Sequence, residues 1–297
     1  MMKVVGLGQC SLDYITLVEG FPAEDTKQEV LDFLVQGGGP VATALVALSR
    51  LGVKTSMIGR ISDDRAGEDI KKGLREEGVD TKGLLVKEGG KSQQAFILVN
   101  SKGGSRTILW QRPTVPAIAP REIDPALFKG ASLLMLDGLM AEASYHAASI
   151  ASKKGIPIML DAGRMRPGML KLAYMSDYVV CSEEFVGGMK LSLKEAFKKL
   201  SGGKAKAITI TLGDKGSFTW HEGRIYMQKV FRVKAVDTTG AGDVFHGAYA
   251  YGVVQGWEIK KTVEFASAVA AMKCRELGGR SGIPTLQEAM RFLKEER

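Results

Sequence analysis

Asp237-Thr238-Thr239-Gly240-Ala241-Gly242-Asp243-Val244-Phe245, with Gly247-Ala248-Tyr249-Ala250 behind it, is the stretch from which the fold of the chain is read. The apolar, partly β-branched run Val230, Phe231, Val233, Ala235 and Val236 leads into it, and Val244, Phe245, Ala248, Tyr249, Val253 and Val254 follow at helical spacing. That pattern predicts a strand, a glycine turn and a buried helix. Gly240 and Gly242 carry no Cβ, so backbone N–H groups converge where the helix N-terminus adds about half a positive charge. The result is an anion hole. A carboxylate at Asp243 repels a phosphate placed there unless it accepts the proton of the group attacking phosphorus. Taken alone, the same Asp also reads as a cap of the helix.

The full pattern, Asp-Thr-x-Gly-Ala-Gly-Asp-x-x-x-Gly-Ala, resembles the second signature of the ribokinase-like (PfkB) family of carbohydrate kinases. The resemblance implies that Asp243 is the general base and that the N–H groups of Gly240, Ala241, Gly242 and Asp243 stabilise the transferring phosphoryl. It implies one kinase domain over residues 1–297, a three-layer α/β/α ribokinase-like fold with a mostly parallel central sheet, and a small β-sheet lid inserted at about 14–35 and 92–112. The lid excludes water, which would otherwise hydrolyse ATP.

Further motifs match in order along the chain. Lys3 to Gly8 reads as a first strand, and Gly8-x-x-x-x-Asp13 is similar to the family's strand end where an Asp holds sugar hydroxyls; a carboxylate accepts from two vicinal hydroxyls at once. Gly6-x-Gly8 fails as a dinucleotide fingerprint, because Ser11 stands at the third glycine and Asp13 to Val18 reads as another strand. Lys27 to Val35 reads as a further strand of the lid. Gly37-Gly38-Gly39-Pro40 precedes a buried helix from Val41 to Gly52, with Pro at its first turn and Gly at its end, similar to the family's first signature, with Thr43 where Asn is usual; Gly38, Gly39 and Thr43 are thereby substrate candidates. Gln93 to Asn100 and Arg106 to Trp110 form a hairpin, whose alternation puts Arg106, Ile108, Trp110 and Arg112 on one face. Arg106, with Lys27 of the other lid segment, is a candidate to hold an acidic group on the substrate, the alternative being a solvated lid edge that guards against aggregation; the strand-end Arg164 is a further substrate candidate.

From residue 130 strands and helices alternate, and Asp137, Asp161 and Arg164 fall at strand ends facing the crevice of an open sheet. Cys181-Ser182-Glu183-Glu184 resembles the family's Asn-x-x-Glu, which implies Mg2+ organised through water by Glu184 and a nucleotide contact at Cys181, where Asn is replaced. Thr211-x-Gly213-x-x-Gly216 is similar to the family's nucleotide-binding loop. A helix Thr262 to Leu277 and the loop Gly278 to Pro284 are implied to close the adenine pocket and, in many relatives, a monovalent cation site (K+) of backbone carbonyls.

Composition is that of an ordinary globular protein, long enough for one large α/β domain or two small ones: 297 residues, 45% hydrophobic and 25% charged. The net charge of +8 is spread among acids, as in Lys71-Lys72-Gly73-Leu74-Arg75-Glu76-Glu77, and no nucleic-acid motif accompanies it; a moderate positive field suits a nucleotide. Cys10, Cys181 and Cys274 are far apart, which argues against disulfides or zinc. No run approaches the roughly 18 apolar residues of a membrane span. The expectation is a cytoplasmic kinase using ATP and Mg2+ on a sugar or sugar-like molecule, without nucleic-acid or membrane partner, and a homodimer through an apolar lid face of Leu31, Phe33, Val35, Phe96 and Leu98. A nucleoside kinase is the alternative within the family, favoured by a base-stacking Phe33 or Trp110. An inactive nucleotide-binding regulatory relative is the alternative outside catalysis.

Overall fold

The computed structural model describes residues 2–296. Its main sheet has nine strands: β1 (Lys3–Leu7), β4 (Lys54–Ser62), β5 (Val79–Lys87), β8 (Leu133–Leu136), β9 (Ile158–Ala162), β10 (Tyr178–Ser182), β11 (Ala207–Thr211), β12 (Ser217–His221) and β13 (Arg224–Gln228). Their spatial order is β13-β12-β11-β10-β9-β8-β1-β4-β5. All neighbours from β11 to β5 pair in parallel, and β12 and β13 add an antiparallel edge.

Parallel strands buried on both faces must be apolar at successive positions, and these are. Val4, Leu133, Met135 and Met159 point into one core, packed by α1 (Pro40–Arg50), α2 (Arg65–Glu76), α7 (Ala241–Val254), α8 (Ile259–Lys273) and α9 (Leu286–Glu295). Their neighbours Val5, Leu7, Leu134, Leu136, Ile158 and Leu160 point into the other, packed by α3 (Ala141–Lys153), α4 (Met169–Tyr174), α5 (Glu183–Gly188) and α6 (Leu193–Leu200). The three layers follow from that alternation.

A separate four-stranded sheet has the order β3-β2-β6-β7, from β2 (Ser11–Val18), β3 (Asp32–Gly38), β6 (Gln94–Asn100) and β7 (Arg106–Gln111). Ile15, Ala95, Ile97 and Val99 form its own small core on the inner face. The outer face is apolar and open: Phe33, Val35, Phe96 and Leu109 are all exposed, and Tyr14 stacks on Phe96 at 5.2 Å.

Three sequence expectations are corrected. The strand expected at Val230 to Val236 does not form, because the amide of Val236 donates to the carbonyl of Cys274 and not to a sheet neighbour. The same bond marks the end of α8, which runs Ile259–Lys273 and not Thr262 to Leu277. The lid strand expected at Lys27 to Val35 is Asp32–Gly38, since its partner β2 ends at Val18 and begins at Ser11, opposite Gly38. Lys27 therefore lies in the connection before β3. The edge strand β5 had no reading in the sequence.

Candidate active site

The helix α7 begins at the glycine turn. Gly240 caps it with φ 71°, a left-handed conformation that strains any residue with a Cβ, and a Cβ there would lie 2.9 Å from the Gly279 carbonyl. Asp243 is the third residue of the helix and not its cap, which removes the capping interpretation. The amide of Ala241 is bonded to the Thr238 carbonyl at 3.2 Å. The amides of Gly242 and Asp243 belong to the first turn, where N–H groups have no partner within the helix.

Two anchors hold this turn. The fully buried Asp237 carboxylate accepts from the amides of Thr239 (2.7 Å) and Gly278 (2.8 Å), and Lys273, equally buried, donates from Nζ to the Asp237 carbonyl at 2.8 Å. From the lid, the Gly104 carbonyl accepts from Thr238 N (3.2 Å) and Thr238 Oγ1 (2.9 Å), and Arg106 Nη1 donates to Thr238 Oγ1 at 3.0 Å.

Beneath Asp243 lies a buried polar group that the sequence reading did not assemble. His246, one turn on, faces the carbonyls of Gly242 (Nδ1, 2.5 Å) and Val180 (Nε2, 3.2 Å), with Asp161 Oδ1 at 3.3 Å from Nε2. Asp161 Oδ2 is buried without a partner. Burial lowers the His246 pKa against the pull of its hydrogen bonds and of Asp243. Burial, then the charge of Asp161, raises the Asp243 pKa, and His246 and Arg106 pull it back. The spacing Asp243-x-x-His246 on a predicted helix was the available signal for this pair.

Asp13 stands across the cleft from Asp243, nearly buried, accepting from Ser11 Oγ at 2.7 Å. Burial raises its pKa; Ser11 and the nearby Arg280 lower it. Gly37 and Gly38 serve this pair by absence: a Cβ on Gly38 would strike the Asp13 carboxyl, and one on Gly37 the Arg280 guanidinium. Arg280 is itself buried, donates from Nη2 to the Gly38 carbonyl at 3.3 Å and is lowered to about 10 by burial. Nothing in the sequence pointed to it, because its partners lie more than two hundred positions away.

The cleft between the two sheets has a volume of about 580 Å³. Of the residues predicted to form the site, Asp13, Gly39, Arg106, Gly240, Gly242 and Asp243 line it. Ile108, Trp110 and Arg112 do as well, as the alternation along β7 required. Gly38 packs directly behind Asp13, and Thr43 is buried in α1 with its amide bonded to the Gly39 carbonyl at 2.9 Å. Lys27 is exposed in the connection before β3 and is absent from the lining; Arg164 is also absent and pairs at 2.7 Å with Glu184. Arg60 and Arg166, unremarked in the sequence, line the cleft in their place. Asp137 is tied up structurally, accepting from the amides of Gln9 (2.7 Å) and Leu139 (3.0 Å), and burial raises it to about 7.

The positions matched to nucleotide binding lie along the ends of β10 and β11. Thr211 ends β11 and donates to the Cys181 carbonyl at 3.3 Å, while Gly213 and Gly216 bound a short 3-10 turn. The Cys181 thiol is fully buried and turned to the Thr209 carbonyl at 3.6 Å, so no polar side chain is presented where the family has Asn. Glu184 is exposed in the first turn of α5. Among the described residues no three His, Cys, Asp or Glu side chains converge on one point.

A family model described as pfkB family carbohydrate kinase matches residues 1–286. The ribokinase of Schizosaccharomyces pombe is 29% identical over 313 residues, covering 97% of this chain and 96% of its own. Fructokinase-1 of Zea mays is 28% identical over 319 residues, covering 98% of each. Among solved structures, the provisionally named ribokinase II of E. coli, in complex with ATP and Mg2+, matches with a TM-score of 0.86 at 21% identity, over 99% of this chain and 100% of that one.

Proposed function

We propose, for a chain that belongs to the pfkB family of carbohydrate kinases, that it moves the γ-phosphate of ATP to a hydroxymethyl group of a sugar or sugar derivative, with Asp243 as the general base. The observation that carries this reading is the placement of Asp243 and Asp13 in one cleft, the first at a helix N-terminus with free amides, the second nearly buried where it can take two hydroxyls. Asp13 orients the acceptor. Its hydroxyl oxygen attacks the γ-phosphorus, the proton passes to Asp243, and the bond from phosphorus to the β-bridging oxygen breaks to release ADP. The amides of Gly242 and Asp243 and the Arg106 guanidinium face the charge on the transferring group. Mg2+, when bound with ATP, would neutralise phosphate charge, and by this reading Glu184, which pairs with Arg164, would hold it through water. Cys181, Thr211, Gly213 and Gly216 border the nucleotide by this reading.

A monovalent cation has no step here. In the loop after α8 the Asp237 carboxylate oxygens are already taken by Thr239 and Gly278, and the Lys273 ammonium sits on the Asp237 carbonyl. A K+ beside that ammonium would be repelled.

A nucleoside acceptor is supported by Trp110, which lines the cleft, but the Arg112 guanidinium lies 4.7 Å over its ring and occupies the stacking face. Phe33 points out of the cleft. A regulatory relative without turnover would have no use for Asp243. Among the described residues no helix is long and apolar enough to cross a membrane, and the reading places the kinase in the cytoplasm. The open outer face of the lid is assigned to a second copy of the chain, since three or more strands with an uncovered apolar face form an interaction surface. The deciding experiment for the reaction is ATP turnover on a panel of sugars by the wild type and by Asp243→Asn.

A further inference from the structure

Four arginines line the cleft, Arg60, Arg106, Arg112 and Arg166, against two carboxylates, Asp13 and Asp243. Arg106 is bound to Thr238 and influences Asp243, so it belongs to the phosphate end. Among the described residues, Arg60, Arg112 and Arg166 make no bond to Thr238. Arg60 lies in β4, two residues before its end at Ser62, on the far side of β1 from β10 and β11, where the nucleotide-matched residues lie. Its side chain is only 8% exposed; Nη2 pairs with Glu122 at 2.5 Å, and Nε is buried without a partner. Arg112 is held flat by Trp110 at 4.7 Å, which fixes its planar donors before any ligand arrives.

Like charges gathered in a semi-enclosed cleft repel, and a buried guanidinium nitrogen without an acceptor is costly. A neutral sugar would leave both conditions as they stand. Resting on the kinase reading above, we propose that the acceptor carries an anionic group, carboxylate, phosphate or sulfonate, received by Arg60, Arg112 and Arg166, the cleft arginines that are not bound to Thr238. Asp13 then takes the hydroxyls between that group and Asp243. The acceptor is a sugar acid or sugar ester long enough to span the cleft, so its supply requires a reaction that oxidises, phosphorylates or sulfonates a sugar.

The test uses matched pairs with MgATP: hexose against hexonate, 2-ketohexose against its 1- and 6-phosphates, and a 6-sulfonate. We expect the best anionic member to exceed its neutral partner in kcat/KM by about 100-fold, as charge-assisted bonds to two or more arginines supply. Arg112→Gln and Arg166→Gln should each raise KM for that acceptor about tenfold or more, with KM for ATP within twofold; having two exposed sites guards against misfolding of the more buried Arg60→Gln. Calorimetry of the same pairs on Asp243→Asn protein measures selectivity without turnover. Preference for the anion in calorimetry with no turnover on any compound would overturn the kinase reading and leave the anion site standing. A neutral acceptor matching its anionic partner, or unchanged KM in both Arg112→Gln and Arg166→Gln, would overturn the anion site and leave the kinase.

Discussion

Replacing Asp243 by Asn changes one atom group and separates chemistry from binding. The side chain is in the first turn of α7, half-buried, with Asp161 and His246 beneath it and Arg106 near. An amide cannot take the hydroxyl proton, and loss of a general base costs about 10²–10⁴-fold in kcat. The same change removes a negative charge near the nucleotide. At about 8 Å and an effective dielectric of about 20, that repulsion is about 2 kcal/mol, an upper limit once Mg2+ screens the phosphates. ATP should therefore bind as well as before, or up to about 30-fold more tightly. Quenched-flow turnover and calorimetric titration with a non-hydrolysable ATP analogue measure the two effects. A kcat within fivefold of wild type, or nucleotide affinity lost along with turnover, would refute the assignment of Asp243 as base.

The pH profile follows from the same group: Asp243 must be ionised to act, and burial and Asp161 raise its pKa, so kcat/KM should fall on acidification through a pKa above the ordinary carboxylate value of about 3.9. An acid limb at or below pH 4 would contradict it. Gly240→Ala places a Cβ in a left-handed turn 2.9 Å from the Gly279 carbonyl, and should cost about 1–3 kcal/mol in urea unfolding together with most of kcat. Turnover in tetramethylammonium buffer should equal that in K+, and Lys273→Met should lose about 1–3 kcal/mol of stability, part of it regained in K+ or NH4+; activation of the wild type by K+ would show that Lys273 does not supply the cation. Phe33→Asp on the outer lid face should convert a dimer to a monomer by light scattering, and a wild-type monomer at micromolar concentration would remove the assigned partner.

What the sequence disclosed and what it hid have physical causes. Parallel strands buried on both faces, the buried helix after Gly240 and the hairpin at residues 93–110 announce themselves through local pattern, so the layers and the lid were legible. Arg106, Ile108, Trp110 and Arg112 were placed on one face by alternation alone, and that face lines the cleft. The segment 230–236 misled because its β-branched residues satisfy a strand pattern while its amide at Val236 is claimed by Cys274, a partner local pattern does not reveal. Arg280, Lys273 and the Asp161–His246 pair were hidden for the same reason: each works through groups brought together only by the fold. Lys27 and Arg164 show the converse, charges of the right sign whose direction only the backbone decides.

The bonds from Thr238 to Gly104 and Arg106 tie the tip of the lid hairpin to the turn that starts α7. At the other end of the lid, Gln36 accepts from the Arg280 amide at 2.8 Å and donates to Ser281 Oγ at 3.2 Å, in the loop that follows Gly278. By the proposed function, an acceptor at Asp13 and a nucleotide at the turn before α7 would both meet this one connected frame. An acceptor that draws the lid inward shifts the amides awaiting the γ-phosphate, and by reciprocity a nucleotide that fixes those amides must tighten the hold on the acceptor by the same factor. The coupling between the two affinities would then be one shared quantity, readable as the ratio of acceptor Kd with and without a non-hydrolysable nucleotide.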